Sequence, residues 1–209
     1  MNKKKFCVVG VDHDIEFYIR DNKSNYIGLI TNFKEKKYSL GNIIGKENLN
    51  DWLRIKKKYN PKVIIAIDDS LIRENLTKKI YKDNVVNIIF KNSDIDKEVL
   101  KKINKKKGIF IQKLCFISSN VDIENGVRIN VGCQIHHDVS IGRYSTVAPG
   151  SIILGSVKIG HHSFIGANST IRQNIKIGNN VIIGAGATIV KNVPNNQIVA
   201  GNPAKKIIS

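Results

Sequence analysis

The run His136-His137-Asp138 carries the residue types in this chain best suited to chemistry. A histidine beside a carboxylate can take a proton from an attacking amine or hydroxyl. The acid holds the ring tautomer and stabilises the imidazolium that forms. Histidine's reference pKa of about 6.5 suits that exchange near neutral pH. Two histidines compete for the role. A second pair, His161-His162, follows 24 residues later. Zinc needs three or four convergent ligands. No such set is visible here, so no metal is expected.

The element that must position these residues is a repeat. Every sixth residue from Ile111 to Ile189 is isoleucine, except Val147. Six is the period neither of a helix nor of a half-buried strand, and it is a signature of parallel β-helix repeats. The residue four places after each large one falls into classes that recur every 18 residues. Cys115, Cys133, Ser151, Ser169 and Ala187 are small; Val121, Val139, Val157, Ile175 and Val193 are β-branched; the third series is Val127, Ser145, Ser163 and Val181. Three hexads per coil predict a triangular prism with coils about 4.8 Å apart. Gly142, Gly160, Gly166, Gly178 and Gly184 each follow the large residue, where a corner is expected to need a tight turn and no Cβ.

The 18-residue coil bears on the histidines. The residue one coil after His137 is Gly155, which has no side chain; the one after His136 is Leu154. Space is therefore expected beside His137 and not beside His136. Twenty-four is not a multiple of 18, so the two histidine pairs fall on different faces.

The hexads Ile159-Gly160-His161-His162-Ser163-Phe164 and Ile183-Gly184-Ala185-Gly186-Ala187-Thr188, with the closing Val199-Ala200-Gly201-Asn202-Pro203-Ala204-Lys205, resemble the hexapeptide-repeat acyltransferases. The resemblance implies a left-handed β-helix, a homotrimer and a CoA thioester donor, here acetyl-CoA as co-substrate. An activated donor needs no covalent enzyme intermediate. Aligned on Asp138 and Ile141-Gly142, the family's catalytic histidine falls on His137, with His136 in place of an acidic residue. The resemblance also implies a donor site that uses Thr146, where a second histidine is common, and main-chain groups at Ala167 and Ala185. Gly155 would leave room for the pantetheine arm, and Lys205 would meet the CoA phosphates.

The N-terminal part alternates strand and helix. Strands are expected at 5–10, Tyr26–Asn32, Val63–Asp68 and Val85–Phe90. Helices are expected at 13–21, 49–58 and Ser70–Lys82, with a loop at 39–48. That pattern predicts a small parallel α/β, Rossmann-like domain over 1–90, with ligand loops at the carboxyl ends of its strands. The candidates are Gly10, Asp12, His13, Thr31 and Asn32. Residues 91–110 read as a linker or a degenerate first coil, with the lysine-rich 97–107 alternatively a helix, and 111–209 as the β-helix and its tail.

An α/β unit before such a prism resembles the branch of sialic-acid O-acetyltransferases and nucleotide-linked amino-sugar N-acetyltransferases of bacterial glycan synthesis. The resemblance departs in three places. The first turn, Gly10-Val11-Asp12-His13-Asp14, has one glycine; the second strand ends Thr31-Asn32, not in two aspartates; and Asp68 replaces a glycine after the third. The expected activity is N-acetylation of an amino-sugar nucleotide. The alternatives are O-acetylation of a sialic acid or another sugar, and a non-catalytic scaffold.

Bulk properties exclude several classes. The chain has 209 residues and a net charge of +17. Lysine dominates and is scattered, arginine is rare, and no aromatic–basic platform appears, which argues against nucleic acid. The positive field favours anionic small molecules. No apolar run reaches membrane-spanning length. The five-residue apolar run after Lys3-Lys4-Lys5 is too short for a leader, so a cytoplasmic location is expected. Three cysteines make no disulfide framework; Cys115 and Cys133 are expected as stacked, buried thiols.

Overall fold

The computed structural model describes residues 4–11, 15–32 and 41–207. The chain divides into two compact units, Met1–Val86 and Asn87–Ser209.

The first unit is built on a parallel sheet. Strands β1 (Phe6–Val9), β2 (Tyr26–Ile30), β3 (Ile43–Gly45) and β4 (Lys62–Ile65) lie in the order β3-β2-β1-β4. Helix α1 (Glu16–Asp21) falls between β1 and β2, α2 (Leu49–Tyr59) between β3 and β4, and α3 (Ser70–Asn75) follows β4. Asn48 caps α2 by accepting from the Asp51 amide, and Asp69 caps α3 by accepting from Ile72, each satisfying one orphan helical donor. A π-turn at Leu76–Ile80 extends α3 and delivers Tyr81 into the core against Trp52. The expected loop at 39–48 instead contains β3, a three-residue edge strand too short to show a period.

The expected strand Val85–Phe90 is shared between the units. Val85 bridges Val63 of the first sheet, whereas β5 (Ile88–Ile89) pairs with β7 (Phe110–Ile111) and opens the second unit. Residues 91–110 hold both features expected as alternatives. They form β6 (Asp94–Ile95), a second side of a first coil, and then α4 (Lys97–Ile103), which stands beside β9 (Asp122–Ile123) where a third side would be. Asp96 caps α4 through the amides of Glu98 and Val99.

From β7 onward a two-residue strand begins every six residues, ending with β20 (Thr188–Ile189). Each strand as far as Thr170–Ile171 pairs in parallel with the one 18 residues on, and the last coil is two residues shorter, giving three stacked sheets. This second unit is a left-handed parallel β-helix. Its axis is filled by the periodic isoleucines, all nearly inaccessible, with the fifth-position residues between them. The polar members of that set are satisfied. Cys115 and Cys133 donate to the carbonyls of Asn130 and Ala148, each at 3.1 Å, and Ser151 donates to Gly166 at 2.8 Å. In these three the donor reaches the carbonyl fifteen residues ahead, so thiol and hydroxyl do one job. All three cysteines are free and buried, and burial pushes the Cys133 thiol up to about 12.

The corners differ from expectation in one respect. Gly142, Gly160, Gly166, Gly178 and Gly184 do not take the left-handed conformation. They sit where the next coil passes close, its backbone at all but Gly184, which meets the Ala200 side chain: a Cβ on Gly142 would lie 2.6 Å from the carbonyl carbon of Gly160 and 2.7 Å from the amide of His161. The left-handed turn lies two residues later, at every sixth residue from Gly108 to Gly186, whether Leu114, Asn120, Asp138, Tyr144 or Gly132 occupies it.

Candidate active site

His136, His137 and Asp138 form the corner between β11 (Gln134–Ile135) and β12 (Ser140–Ile141). Neighbouring coils hold its backbone from both sides. The Asp138 amide donates to Ser119, and the Ser156 amide donates to His137. Asp138 has φ 60°, a conformation that Asn and Asp tolerate better than most residues.

The two histidines separate clearly. The His136 ring packs edge-on against Phe116, with centroids 6.0 Å apart. His137 turns the other way, and its Nδ1 lies 2.8 Å from Asp138 Oδ2. The side chains of His137 and Asp138 are 60% and 47% exposed, so a substrate can reach both. The hydrogen bond from His137, then one from Asn120, holds the Asp138 carboxyl below the usual carboxylate range.

Gly155 lies against the His137 ring. The space it leaves is filled by the His137 ring itself: a Cβ there would lie 2.6 Å from Cε1 and 2.7 Å from Nε2. The glycine gives the imidazole a seat. Gly155→Ala should therefore displace the ring and lower kcat about 10- to 100-fold, with little change in melting temperature because the ring is free to swing outward. An unchanged kcat would show that the seat does not matter.

The remaining candidates do not gather at this corner. Ala167 and Ala185 lie on the corner between the eight-stranded and six-stranded sheets of the β-helix, and the carbonyl of Ala167 accepts from the Gly186 amide. Thr146 is buried on the eight-stranded sheet of the β-helix, between Arg128 and Phe164. Lys205 is in an exposed strand, β22 (Lys205–Lys206), that turns back antiparallel on β21 (Ile198–Ala200).

In the first unit, Gly10 follows β1 with φ 83°, and Thr31 is buried at the end of β2. Asn32 is clasped by Glu47, whose carboxylate accepts from its backbone and side chain while Asn32 Oδ1 accepts from the Glu47 amide. Asp12 and His13 lie outside the described residues. Among the described residues, no group of three or more His, Cys, Asp or Glu could hold a metal ion, and no helix is long and apolar enough to cross a membrane.

Two features escaped the sequence reading. One is Asn120, which donates from Nδ2 to Asp138 Oδ1 at 2.6 Å. It stands 18 residues before Asp138, so the spacing that places Gly155 over His137 could have found it. The other is a groove of about 590 Å³ lined by Arg172, Gln173, Asn174, Val190, Lys191 and Asn192. It lies on the same corner as His137, two to three coils further along.

Residues 113–155 and 156–191 match the family described as bacterial transferase hexapeptide (six repeats). No curated protein sequence matches the chain significantly. Among solved structures, a point mutant of perosamine N-acetyltransferase from Caulobacter crescentus, in complex with CoA and GDP-perosamine, superposes with a TM-score of 0.88 at 19% identity, over 98% of this chain and 97% of that one. The acetyltransferase domain of PglB from Neisseria gonorrhoeae, in complex with acetyl coenzyme A, gives 0.85 at 20% identity over 99% and 100%. WeeI from Acinetobacter baumannii gives 0.79 at 24% over 98% and 100%. At such identities the shared property is the fold, and it extends over both units of the chain. Residues 113–155 and 156–191 thus match bacterial transferase hexapeptide repeats, and the chain shares its fold with the perosamine N-acetyltransferase and PglB acetyltransferase-domain structures.

Proposed function

We propose that the protein is an acetyl-CoA-dependent acetyltransferase that N-acetylates a nucleotide-linked amino sugar. The observation that carries this reading is the His137–Asp138 pair, hydrogen-bonded through Nδ1 on an exposed corner. With Nδ1 committed to the carboxylate, Nε2 is left to act as general base. The acceptor nitrogen attacks the thioester carbonyl, the C–N bond forms, and Nε2 takes the amine proton. Collapse of the adduct breaks the C–S bond, and the proton passes to the departing thiolate. Asp138 stays ionised throughout, since its two hydrogen bonds favour the charged form.

Support for the donor comes from the fold, because structures of the same architecture hold CoA or acetyl coenzyme A. The basic groove at Arg172 and Lys191 fits the phosphates of a donor whose thioester reaches His137. Support for the acceptor is the GDP-perosamine held by the Caulobacter enzyme, together with an α/β unit whose Gly10, Thr31 and Asn32 lie at the carboxyl ends of its strands. The division of Thr146, Ala167 and Ala185 from His137 within one prism supports a homotrimer, in which a neighbouring copy's corner completes the donor groove. Phe164, Ile182 and Ile198 offer exposed apolar surface for that contact. We place the enzyme in the cytoplasm, where acetyl-CoA and sugar nucleotides meet.

Free thiol release from acetyl-CoA tests the reading, with UDP-, GDP- and TDP-linked 4-amino sugars beside free sialic acid. Turnover with an amino-sugar nucleotide, by a species sedimenting at three times the 23.4 kDa chain mass, is the expected result. Turnover with sialic acid alone would assign O-acetylation instead. No turnover, and no calorimetric binding of acetyl-CoA at millimolar concentration, would reduce the prism to a scaffold.

A further inference from the structure

We propose that Asn120 is a positioning residue that sets the orientation of Asp138, and through it the basicity of His137. The inference rests on the reading of His137 as the base and adds a member one coil away. Asn120 and Asp138 occupy the same corner on successive coils, both left-handed, with φ 56° and 60°. The backbone already ties the two turns, since the Asp138 amide donates to Ser119. Across that tie, Asn120 Nδ2 donates to Asp138 Oδ1 at 2.6 Å, while Oδ2 meets His137 Nδ1 at 2.8 Å. The two carboxylate oxygens are therefore divided between two partners.

That division has a mechanical consequence. The terminal torsion of an aspartate is broad and roughly two-fold, so an exposed carboxylate left alone rotates freely. A donor fixed on one oxygen points the other at the imidazole. It also has an electrostatic consequence, because the amide draws on charge that would otherwise fall wholly on the ring. Asn120 thus keeps Asp138 ionised and correctly turned without adding a charge of its own. The turns stacked on either side, Ser118, Ser119 and Asn120 on one and Leu154, Gly155 and Ser156 on the other, carry no titratable group. His136 and Asp138 are the titratable residues adjoining His137 on its own turn.

Two variants of the full chain test the assignment. Asn120→Gly removes the amide and accepts the left-handed turn at no steric cost. Asn120→Asp keeps the shape and replaces the donor with a second carboxylate, which favours the charged imidazolium. The readouts are the His137 ring titration followed by NMR without substrate, and the pH profile of kcat/KM. Asn120→Gly is expected to lower kcat about 10-fold with an unchanged KM for acetyl-CoA and an unchanged melting temperature. Asn120→Asp is expected to move the ring titration, and the acidic limb of the profile, upward by about one pH unit. Wild-type kcat in Asn120→Gly together with an unshifted ring in Asn120→Asp would overturn the proposal. So would loss of activity that tracks a fall in melting temperature, which would make the residue merely structural. A wild-type chain that transfers no acetyl group, with the ring still shifted in Asn120→Asp, would sink the base reading while the coupling stands.

Discussion

His137→Ala should lower kcat by about three orders of magnitude and leave the prism intact. A positioned general base contributes roughly 10²- to 10⁴-fold, and here the ring makes the only side-chain bond from the corner to Asp138 Oδ2 that the described residues show. A thousandfold loss corresponds to about 4 kcal/mol of barrier. Stability should barely move, since the ring is mostly exposed and contributes nothing to the isoleucine column. Calorimetric affinity for acetyl-CoA should also persist, because the basic groove lies two to three coils away. His136→Ala is the internal control. It removes a ring that rests on Phe116 and should cost less than tenfold. If the two variants lost activity equally, the distinction between the histidines would be wrong.

Gly142→Ala should destabilise the second unit by about 3 kcal/mol, although it adds a single methyl group. The new Cβ would lie 2.6–2.8 Å from three main-chain atoms of Gly160 and His161. Those atoms belong to a hydrogen-bonded ladder, in which the Gly142 amide donates to Ile159 and the Gly160 amide to Ile177, so they cannot step aside singly. For a chain of this size the expected fall in melting temperature is roughly 6–12 °C. Gly132→Ala is the contrast. Nothing lies within 4 Å of the added atom, but φ is +70°, so the cost is the left-handed penalty of about 1–2 kcal/mol. Differential scanning calorimetry on both variants measures the gap. Equal effects would mean that coil spacing yields to a methyl group.

The same comparison shows what sequence reasoning reaches. The isoleucine column was legible because one residue type fills one environment at every repeat, buried on the axis. The left-handed position was not, because it asks only for a backbone angle, and Leu114, Asp138, Tyr144 and His162 all supply it. Glycine after the large residue was visible and its cause misjudged: a close neighbour one coil away leaves no mark in the local sequence. Gly155 shows the same limit. The 18-residue spacing correctly put an absent side chain next to His137, but not which group would move into the opening. Asn120 needed only the reverse step along the same column. In the first unit, β3 was hidden by its shortness, and Val85–Phe90 by an apolar run that serves two cores in turn. Asp12 and His13 lie outside the described residues.

The two ends of the solenoid bear on its solubility. Rungs of parallel strands in register are also the architecture of a fibril, and each exposed terminal rung is a template for another chain. Here α4 stands in for the third side of the first rung. At the opposite end β22 folds back antiparallel and presents Lys205 and Lys206 outward. Neither surface offers an incoming molecule a full triangular rung to copy, so elongation is blocked at the same two places where the repeat stops.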